Sequence, residues 1–578
     1  MHSSTPSRLS LLLPGWLALL FYLPTLGHSY VWDDTYFLTD LPYLRDPQLW
    51  WQALREPLFV SQNYFRPLPL LMFALEAQVP APGAFVFHLV NVLLHVVNTT
   101  LVVALARGVL PARGRNLWLA SLAGLVFALH PALVENVSWI SDRFDLLMAS
   151  LLLAALLGMQ RMAATWRRDL MLALCLFGAL LCKETGIVLL LLLPLWQVFL
   201  LLHGGAHRSE IRPLLMAQRN LQLYALLALS VLLYLGLRYA ALGFLYRSDA
   251  QMVGGTLLQH ALLTGKTLGW YVLLLLFPFG QTAPVHPAVT PLALNDLQAW
   301  GGLAVCVLLV LPVVYQAWHG RAGAVLALLL MAALAPVANL LPLTIGDNLV
   351  HDRYLIMPIA LGAVLLVLCL CSVWPRAVLA LTAVWLLAAA VAVVTTLPHW
   401  ESNLSLWSWA YAKHPESRIA SGNYLLALVD AGRNEEAVAL GRQLLSTGRV
   451  DAVLRQNLAL ALLRKGELHS AETEIKAALD LPRKDDVQGR YTVSEALNLL
   501  AHIQMQQARW AAAESNLQEA IRLTPYLPRP HYNLALLNYR QGRIETADAA
   551  LQLALRYAAP EQADVFRREA ARVRLAPH

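Results

Sequence analysis

Long apolar runs punctuate the first two thirds of the chain, separated by short polar connections. They fall at 10–27, 84–106, 117–133, 144–160, 170–183, 185–202, 221–240, 301–318, 322–342, 354–373 and 376–397. Each reads as a helix crossing the roughly 30 Å of membrane hydrocarbon. Alternate connections hold Arg107/Arg113/Arg115, Arg161/Arg167/Arg168, Arg208/Arg212/Arg219, Arg321 and Arg376. Clustered arginine marks the cytoplasmic side, so 28–83, 134–143, the turn at 183–184, 241–300 and 343–353 face outward. A further apolar segment, 262–278, breaks this alternation, because a crossing there would place Arg321 and Arg376 on the wrong side. Its shortness, with Gly265, Gly269 and Pro278, predicts a re-entrant or interfacial segment. Eleven spans remain, with the N-terminus inside and the C-terminal region outside. The first run follows Arg8 and lacks a small-residue cleavage site, which predicts a retained span.

After Trp400 the periodicity changes. Residues 401–578 are polar and helix-forming, and a 34-residue period appears. Gly432, Gly466 and Gly542 each lie nine residues after Asn423, Asn457 and Asn533, and five before Ala437, Ala471 and Ala547. A fourth copy places Ala508 and Ala513 at these phases, displaced by eight extra residues near 482–489; Ala478, Ala520 and Ala554 recur seven positions on. Small residues at these phases let paired helices pack closely, with glycine opening the turn. The pattern resembles the tetratricopeptide repeat, which implies a short α-solenoid with a protein-binding concave face. The expected division is a multispan domain at 1–398 and a repeat domain at 399–578.

Composition agrees with this reading. Of 578 residues, 58% are hydrophobic and 14% charged, with mean hydropathy +0.54. Soluble domains carry about 25% charge, so a polytopic, all-α membrane protein is the class indicated. The net charge of +7 serves topology, and no basic patch points to nucleic acid. Cys175, Cys182, Cys306, Cys369 and Cys371 lie in or beside apolar runs, with no pattern of zinc ligands or disulfides.

Four outward connections bring acids and bases to one face. The first holds Asp33-Asp34 and Arg66; the second holds His130, Glu135, Asp142, Arg143 and Asp145. The third is Lys183-Glu184, almost without a loop, and the last holds Asp347, His351, Asp352 and Arg353. Ionisable groups at membrane depth need partners or a task. Lys183 and Glu184 are adjacent and do not face each other on a helix, so each needs a partner elsewhere. His88, Asn91, His95 and Asn98 form one polar stripe, which predicts interhelical hydrogen bonds. Cations facing a leaflet suit a lipid-linked phosphate: they hold the phosphate and stabilise charge growing on it. A carboxylate would take the proton of an incoming hydroxyl. No Gly-rich phosphate loop suggests a soluble nucleotide donor, and the scattered acids predict no metal site.

The motifs Trp32-Asp33-Asp34, Phe65-Arg66-Pro67-Leu68, Phe87-His88-Leu89-Val90-Asn91, His95, His130-Pro131 with Glu135, Arg143-Phe144-Asp145-Leu146-Leu147, Lys183-Glu184 and Arg353-Tyr354-Leu355 occur in this order. They resemble the transmembrane-and-tetratricopeptide-repeat O-mannosyltransferases, C-type membrane glycosyltransferases. The resemblance implies an inverting enzyme that moves a sugar from a polyprenyl-phosphate donor, without another cofactor, to a Ser/Thr hydroxyl of an exported protein. It makes Asp33 the base beside Asp34, and Glu135 the second acidic site. Arg143, Lys183, Arg353 and Arg66 become donor-phosphate contacts. His88, His130, Glu184, His351 and Asp352 are supporting candidates. The repeats would engage the acceptor protein. The Ala/Leu/Arg-rich composition points to a bacterial inner membrane, with site and repeats facing the periplasm and an undecaprenyl carrier; a eukaryotic counterpart would sit in the endoplasmic reticulum. Transfer to a lipid or cell-surface glycan, a non-enzymatic scaffold and a transporter are the alternatives, the last disfavoured because the charges gather at one face.

Overall fold

A computed structural model of the chain describes residues 11–35, 37–38, 44, 47–55, 63–80, 83–111, 114–245, 256–287, 293–340, 348–373, 376–448, 451–482 and 487–575. Arg8, Arg113 and Asp347 lie outside the described residues. The order begins α1 (Leu13–Tyr22), α2 (Pro67–Glu76), α3 (Phe85–Val109), α4 (Gly114–Ala128), α5 (Leu133–Ser138), α6 (Arg143–Arg161), α7 (Trp166–Cys182) and α8 (Leu189–His203). It continues with α9 (Arg208–Leu215), α10 (Gln218–Leu242), α11 (Leu257–Leu276), β1 (His286–Pro287), α12 (Leu297–Trp318), α13 (Ala322–Leu334), β2 (Asn348–Val350), α14 (Ile356–Val373) and α15 (Arg376–Thr396). The C-terminal part holds α16 (Asn403–Lys413), α17 (Arg418–Asp430), α18 (Asn434–Ser446), α19 (Ala452–Arg464) and α20 (Leu468–Leu479). It ends with α21 (Val487–Gln506), α22 (Trp510–Leu523), α23 (Pro528–Arg540), α24 (Ile544–Tyr557) and α25 (Pro560–Leu575).

Among the described residues the chain is all-α but for the antiparallel β1–β2 ribbon, and each of the eleven expected spans falls on a helix. Among them six helices are long and apolar enough to cross a membrane, at 85–109, 184–203, 220–242, 297–318, 352–372 and 377–400, and four shorter helices are also apolar. This is a multi-pass membrane protein. Two compact units divide the chain: 1–29, 65–69 and 81–401 form one, and 30–64, 70–80 and 402–578 the other.

In the first unit, α3 packs on α1, α4 and α6. Three residues of its polar stripe do what the sequence predicts, while neither ring nitrogen of His88 has a hydrogen-bond partner among the described residues. Asn91 Nδ2 donates to the Trp139 carbonyl (3.0 Å), His95 Nε2 meets the Ala128 carbonyl (3.1 Å), and Asn98 Nδ2 donates to the Leu146 carbonyl (3.0 Å). All four stripe residues are buried. Within a bundle surrounded by lipid, such bonds and close packing replace the hydrophobic drive between helices.

The 262–278 segment differs from expectation in one respect. It belongs to α11, a continuous helix of 20 residues, and its glycines do not break it. A Cβ on Gly269 would come within 2.9 Å of Gly302 Cα, and one on Gly302 within 2.3 Å of the Gly265 carbonyl oxygen. The glycines therefore let α12 cross α11 backbone to backbone, and Lys266 pairs with Asp296 at 2.7 Å nearby.

In the second unit, α17 to α24 form four helical hairpins, each pair of helices closely packed. Gly432, Gly466 and Gly542 turn between them in the left-handed region (φ 75°, 84° and 72°), and Ala508 takes the same conformation at φ 58°. Ala437, Ala471, Ala513 and Ala547 are fully buried at the phase where a larger side chain would separate the helices. Successive hairpins are tied by Asn457 Nδ2 donating to the Gly422 carbonyl (3.0 Å) and Asn533 Nδ2 to Asn498 Oδ1 (2.8 Å).

Left-handed backbone costs an L-residue with a Cβ about 1–2 kcal/mol. Ala508→Gly is therefore expected to stabilise the hairpin region by about 1 kcal/mol, and Gly466→Ala to destabilise it by a similar amount. Denaturant unfolding followed by far-UV circular dichroism reads both shifts.

Candidate active site

Helix α7 ends at Cys182, where Lys183 turns extended (φ −160°, ψ 141°) into a 3-10 turn over Glu184–Val188. This corner sends the neighbouring charges different ways. Lys183 is buried and donates to Asp145 Oδ2 at 2.5 Å, its ammonium 4.4 Å from the Tyr354 ring centre. Glu184 Oε2 accepts from Arg66 Nε (3.0 Å) and Nη2 (2.8 Å). Its other oxygen accepts from the Phe65 amide (3.1 Å) and lies 3.5 Å from Arg238 Nη1. The two residues are not each other's partners, and Lys183 does not reach to water.

Arg353 is placed by the ribbon that precedes it. β2 pairs with β1, with His286 opposite Val350, and Asp352 just beyond accepts from His286 Nε2 (2.8 Å) and the Ala283 amide (3.1 Å). Arg353 then meets Glu135 twice, through Nη1 at 2.5 Å and through its amide at 3.1 Å. Its Nε lies 3.7 Å from Asp142, and its guanidinium stands 5.1 Å from both the Trp139 and Tyr354 ring centres. Asn136 fastens the corner, donating to Asp142 Oδ2 (2.6 Å) and to the Arg353 carbonyl (3.1 Å). Nη2 of Arg353 makes no hydrogen bond among the described residues.

Burial raises both acids of this corner. Glu135 is pushed up to about 7 by desolvation, with Arg353 pulling it back and Asp352 adding to the rise. Asp142 is pushed well above the carboxylate range, first by burial and then by the neighbouring Asp145. Among the described residues, Glu135, Asp142, Asp145, Glu184 and Asp352 lie in ion pairs with Arg66, Lys183, Arg238, His286 and Arg353 in this part of the unit.

Arg143, expected as a phosphate contact, opens α6. It is fully buried and donates to the Phe87 carbonyl (2.7 Å) and to Asn91 Oδ1, bracing α6 on α3. His88 faces the edge of His28, ring centres 6.0 Å apart. His130 follows α4 and bonds to the end of α11: its Nδ1 accepts from the Ala132 amide (3.3 Å), which leaves Nε2 to donate to the Leu275 carbonyl (3.1 Å).

Asp33 and Asp34 belong to the second unit. They lie in a tight turn with Trp32 at φ 55°. Asp34 is fully buried, its carboxylate accepting the Val31 amide (3.2 Å) while its own amide donates to the Val31 carbonyl (3.0 Å). Trp32 is anchored by its amide to Asn403 Oδ1 (2.8 Å) and by its ring against Trp407. Asp34 thus builds the turn that presents Asp33, which is only partly buried.

Arg238, His286 and Asn136 were missed by sequence reasoning. Arg238 is a lone charge within an apolar run, a signal that could have found it. His286 lies 66 residues before Asp352 in a long connection with no motif to link them. Among the described residues no group of three or more His, Cys, Asp or Glu could hold a metal ion.

The class defined here is a multispan helical membrane protein with a buried cluster of ion pairs at helix ends and a C-terminal array of helical hairpins. No family model matches the chain. It is similar to proteins named Protein O-mannosyl-transferase: Tmtc1 of Drosophila melanogaster (35% identity over 193 residues), Tmtc2 of the same organism (34% over 215) and TMTC2 of Homo sapiens (29% over 237). These matches cover 32%, 34% and 38% of this chain and 22%, 22% and 27% of the relatives. The chain thus spans about a quarter of the length of the curated relatives it matches.

The two neighbouring aspartates are expected to respond oppositely. Asp145→Asn strips Lys183 of its counter-charge in a buried site and is expected to cost about 3–5 kcal/mol. Asp142→Asn copies the protonated carboxyl. A native carboxyl whose proton is held more tightly than in the unfolded chain adds stability at low pH and loses it as pH rises from the ordinary carboxylate range through the native value. Asp142→Asn is therefore expected to flatten that decline, read as thermal unfolding of the purified protein against pH.

Proposed function

We propose that the chain is a membrane glycosyltransferase that moves a sugar from a polyprenyl-phosphate carrier to a Ser/Thr hydroxyl of an exported protein. The observation that carries this reading is a pair of buried cations, Lys183 and Arg353, that keep N–H donors to give after meeting their carboxylates. Such donors suit a phosphodiester monoanion at membrane depth. Lys183 has one hydrogen bond to protein and further N–H donors to offer, and Arg353 has its Nη2. Arg66, held by Glu184, is the third cation of the set. Arg143 acts as a brace for this group. The names of the relatives point to the same chemistry, protein O-mannosylation.

In the reaction the acceptor oxygen attacks the anomeric carbon as the bond from that carbon to the phosphate oxygen breaks, inverting the centre. The hydroxyl proton passes to Asp33. The electron pair of the broken bond leaves with polyprenyl phosphate, whose charge rises from one to two negative. Lys183, Arg353 and Arg66 act most strongly on that second charge, so they favour the transition state over the bound donor. Glu135 fixes the direction of Arg353. The role of Asp33 rests on its motif and on the turn that Asp34 and Trp32 build for it. The repeats, of tetratricopeptide type, would select the acceptor, and the site faces the periplasm in a bacterial host.

The test compares intact masses of exported proteins in cells with the wild-type chain, without it, and with Asp33→Asn. The wild type is expected to add a hexose-sized mass to a Ser/Thr-rich exported protein, and Asp33→Asn at normal abundance to cut the rate about 100- to 10,000-fold. Unchanged protein masses with an altered glycolipid would shift the acceptor to lipid. Full activity of Asp33→Asn would remove the assigned base.

A further inference from the structure

Close to the cations lies a second set of polar groups that the phosphate reading does not use. His351 directly follows β2 and is 4% exposed, yet neither ring nitrogen has a hydrogen-bond partner among the described residues. Asn348 opens β2, and its Oδ1 is equally without a partner. Tyr271 on α11, which packs against β2, is 1% exposed. Its hydroxyl approaches the His351 backbone without reaching hydrogen-bond geometry. Buried polar groups are nearly always hydrogen-bonded in folded proteins. Orphans gathered on and beside two touching elements leave polar groups able to take partners from outside the chain.

The chemistry of the set is distinct from that of the cations. Burial, reinforced by the charges of Arg353, His286 and Lys183, holds the His351 imidazole neutral. A neutral imidazole offers one N–H and one lone pair, a tyrosine hydroxyl gives and accepts, and Asn348 Oδ1 accepts. That is a mixture of donors and acceptors without formal charge, suited to hydroxyl groups and unsuited to an anion. Aromatic faces border it: the Tyr354 ring lies 5.1 Å from His351, and Trp270 lies 5.9 Å from His286. The same Tyr354 ring lies 4.4 Å from the Lys183 ammonium and 5.1 Å from the Arg353 guanidinium, which puts this polar set beside the groups assigned to the phosphate.

We propose that His351, Tyr271 and Asn348 receive the hydroxyls of the sugar carried by the lipid-linked donor, and so select which sugar is transferred. This rests on the lipid-phosphate-sugar reading above and adds the part of the protein that reads the sugar. A sugar attached to phosphate must lie next to the cations, and its hydroxyls need mixed donors and acceptors of this kind. A site built to hydrogen-bond a hydroxyl rejects ligands that lack it, because its own buried groups are then left unpaired.

The test uses the full-length protein in lipid nanodiscs. Binding is measured for undecaprenyl phosphate and for undecaprenyl phosphate carrying mannose, glucose or N-acetylglucosamine. Tyr271→Phe and His351→Leu are compared with wild type, with thermal unfolding to check the fold; Tyr271→Phe removes only an oxygen. The wild type is expected to prefer one sugar-bearing lipid over the bare phosphate. Each variant is expected to weaken that lipid by about tenfold and to leave undecaprenyl phosphate within about twofold of wild type. Equal loss for both lipids, no loss for either, or a wild type indifferent to the sugar would overturn the proposal. A wild type that binds none of the four lipids would instead sink the underlying donor reading.

Discussion

The first unit depends on the cost of holding charge away from water. Lys183 and Arg353 are almost wholly buried at helix ends, where an uncompensated ion is destabilising by several kcal/mol. Asp145 and Glu135 answer them at 2.5 Å each. Those pairs in turn dictate local backbone: the extended corner at Lys183, the short α5 that carries Glu135, and the β1–β2 ribbon that feeds Arg353 toward it. Because replacing such pairs with apolar residues is often neutral for stability, stability alone does not explain them.

The same cluster shows how a protein can hold many charges at membrane depth: Lys183, Arg353 and Arg66 are each answered by a carboxylate. Around it the remaining polar residues close off helix ends. His130 bonds to a carbonyl at the end of α11, Asn136 fastens the Arg353 corner, and Arg143 with Asn91 locks α6 on α3. The division of labour separates groups that organise backbone from groups with donors still to give.

Much of this was legible in the sequence. Helical periods, arginine-rich connections and the 34-residue repeat mark the elements directly, because each is a local pattern. The His88/Asn91/His95/Asn98 stripe announces interhelical hydrogen bonds by its spacing alone. The pairing of Lys183 and Glu184 with partners elsewhere follows from adjacent residues facing apart. Pairings such as His286 with Asp352, or Arg238 with Glu184, were not legible, since they join distant segments with no periodic signal between them. Gly265 and Gly269 were legible as small residues but not as a contact surface: a sequence shows a glycine, and only packing shows whether it breaks a helix or admits a neighbour. The opposite roles of Asp33 and Asp34 likewise depend on backbone, since one carboxylate closes the turn that presents the other.

The account stands on a lipid-linked phosphate seated at Lys183 and Arg353. Cryo-electron microscopy of the full chain in nanodiscs loaded with undecaprenyl-phosphate-mannose tests it most directly. The expected result is phosphate density within direct hydrogen-bond reach of Lys183 Nζ and Arg353 Nη2, with the Glu135–Arg353 and Asp145–Lys183 pairs intact. Phosphate density beyond direct or single-water reach of both cations would contradict it.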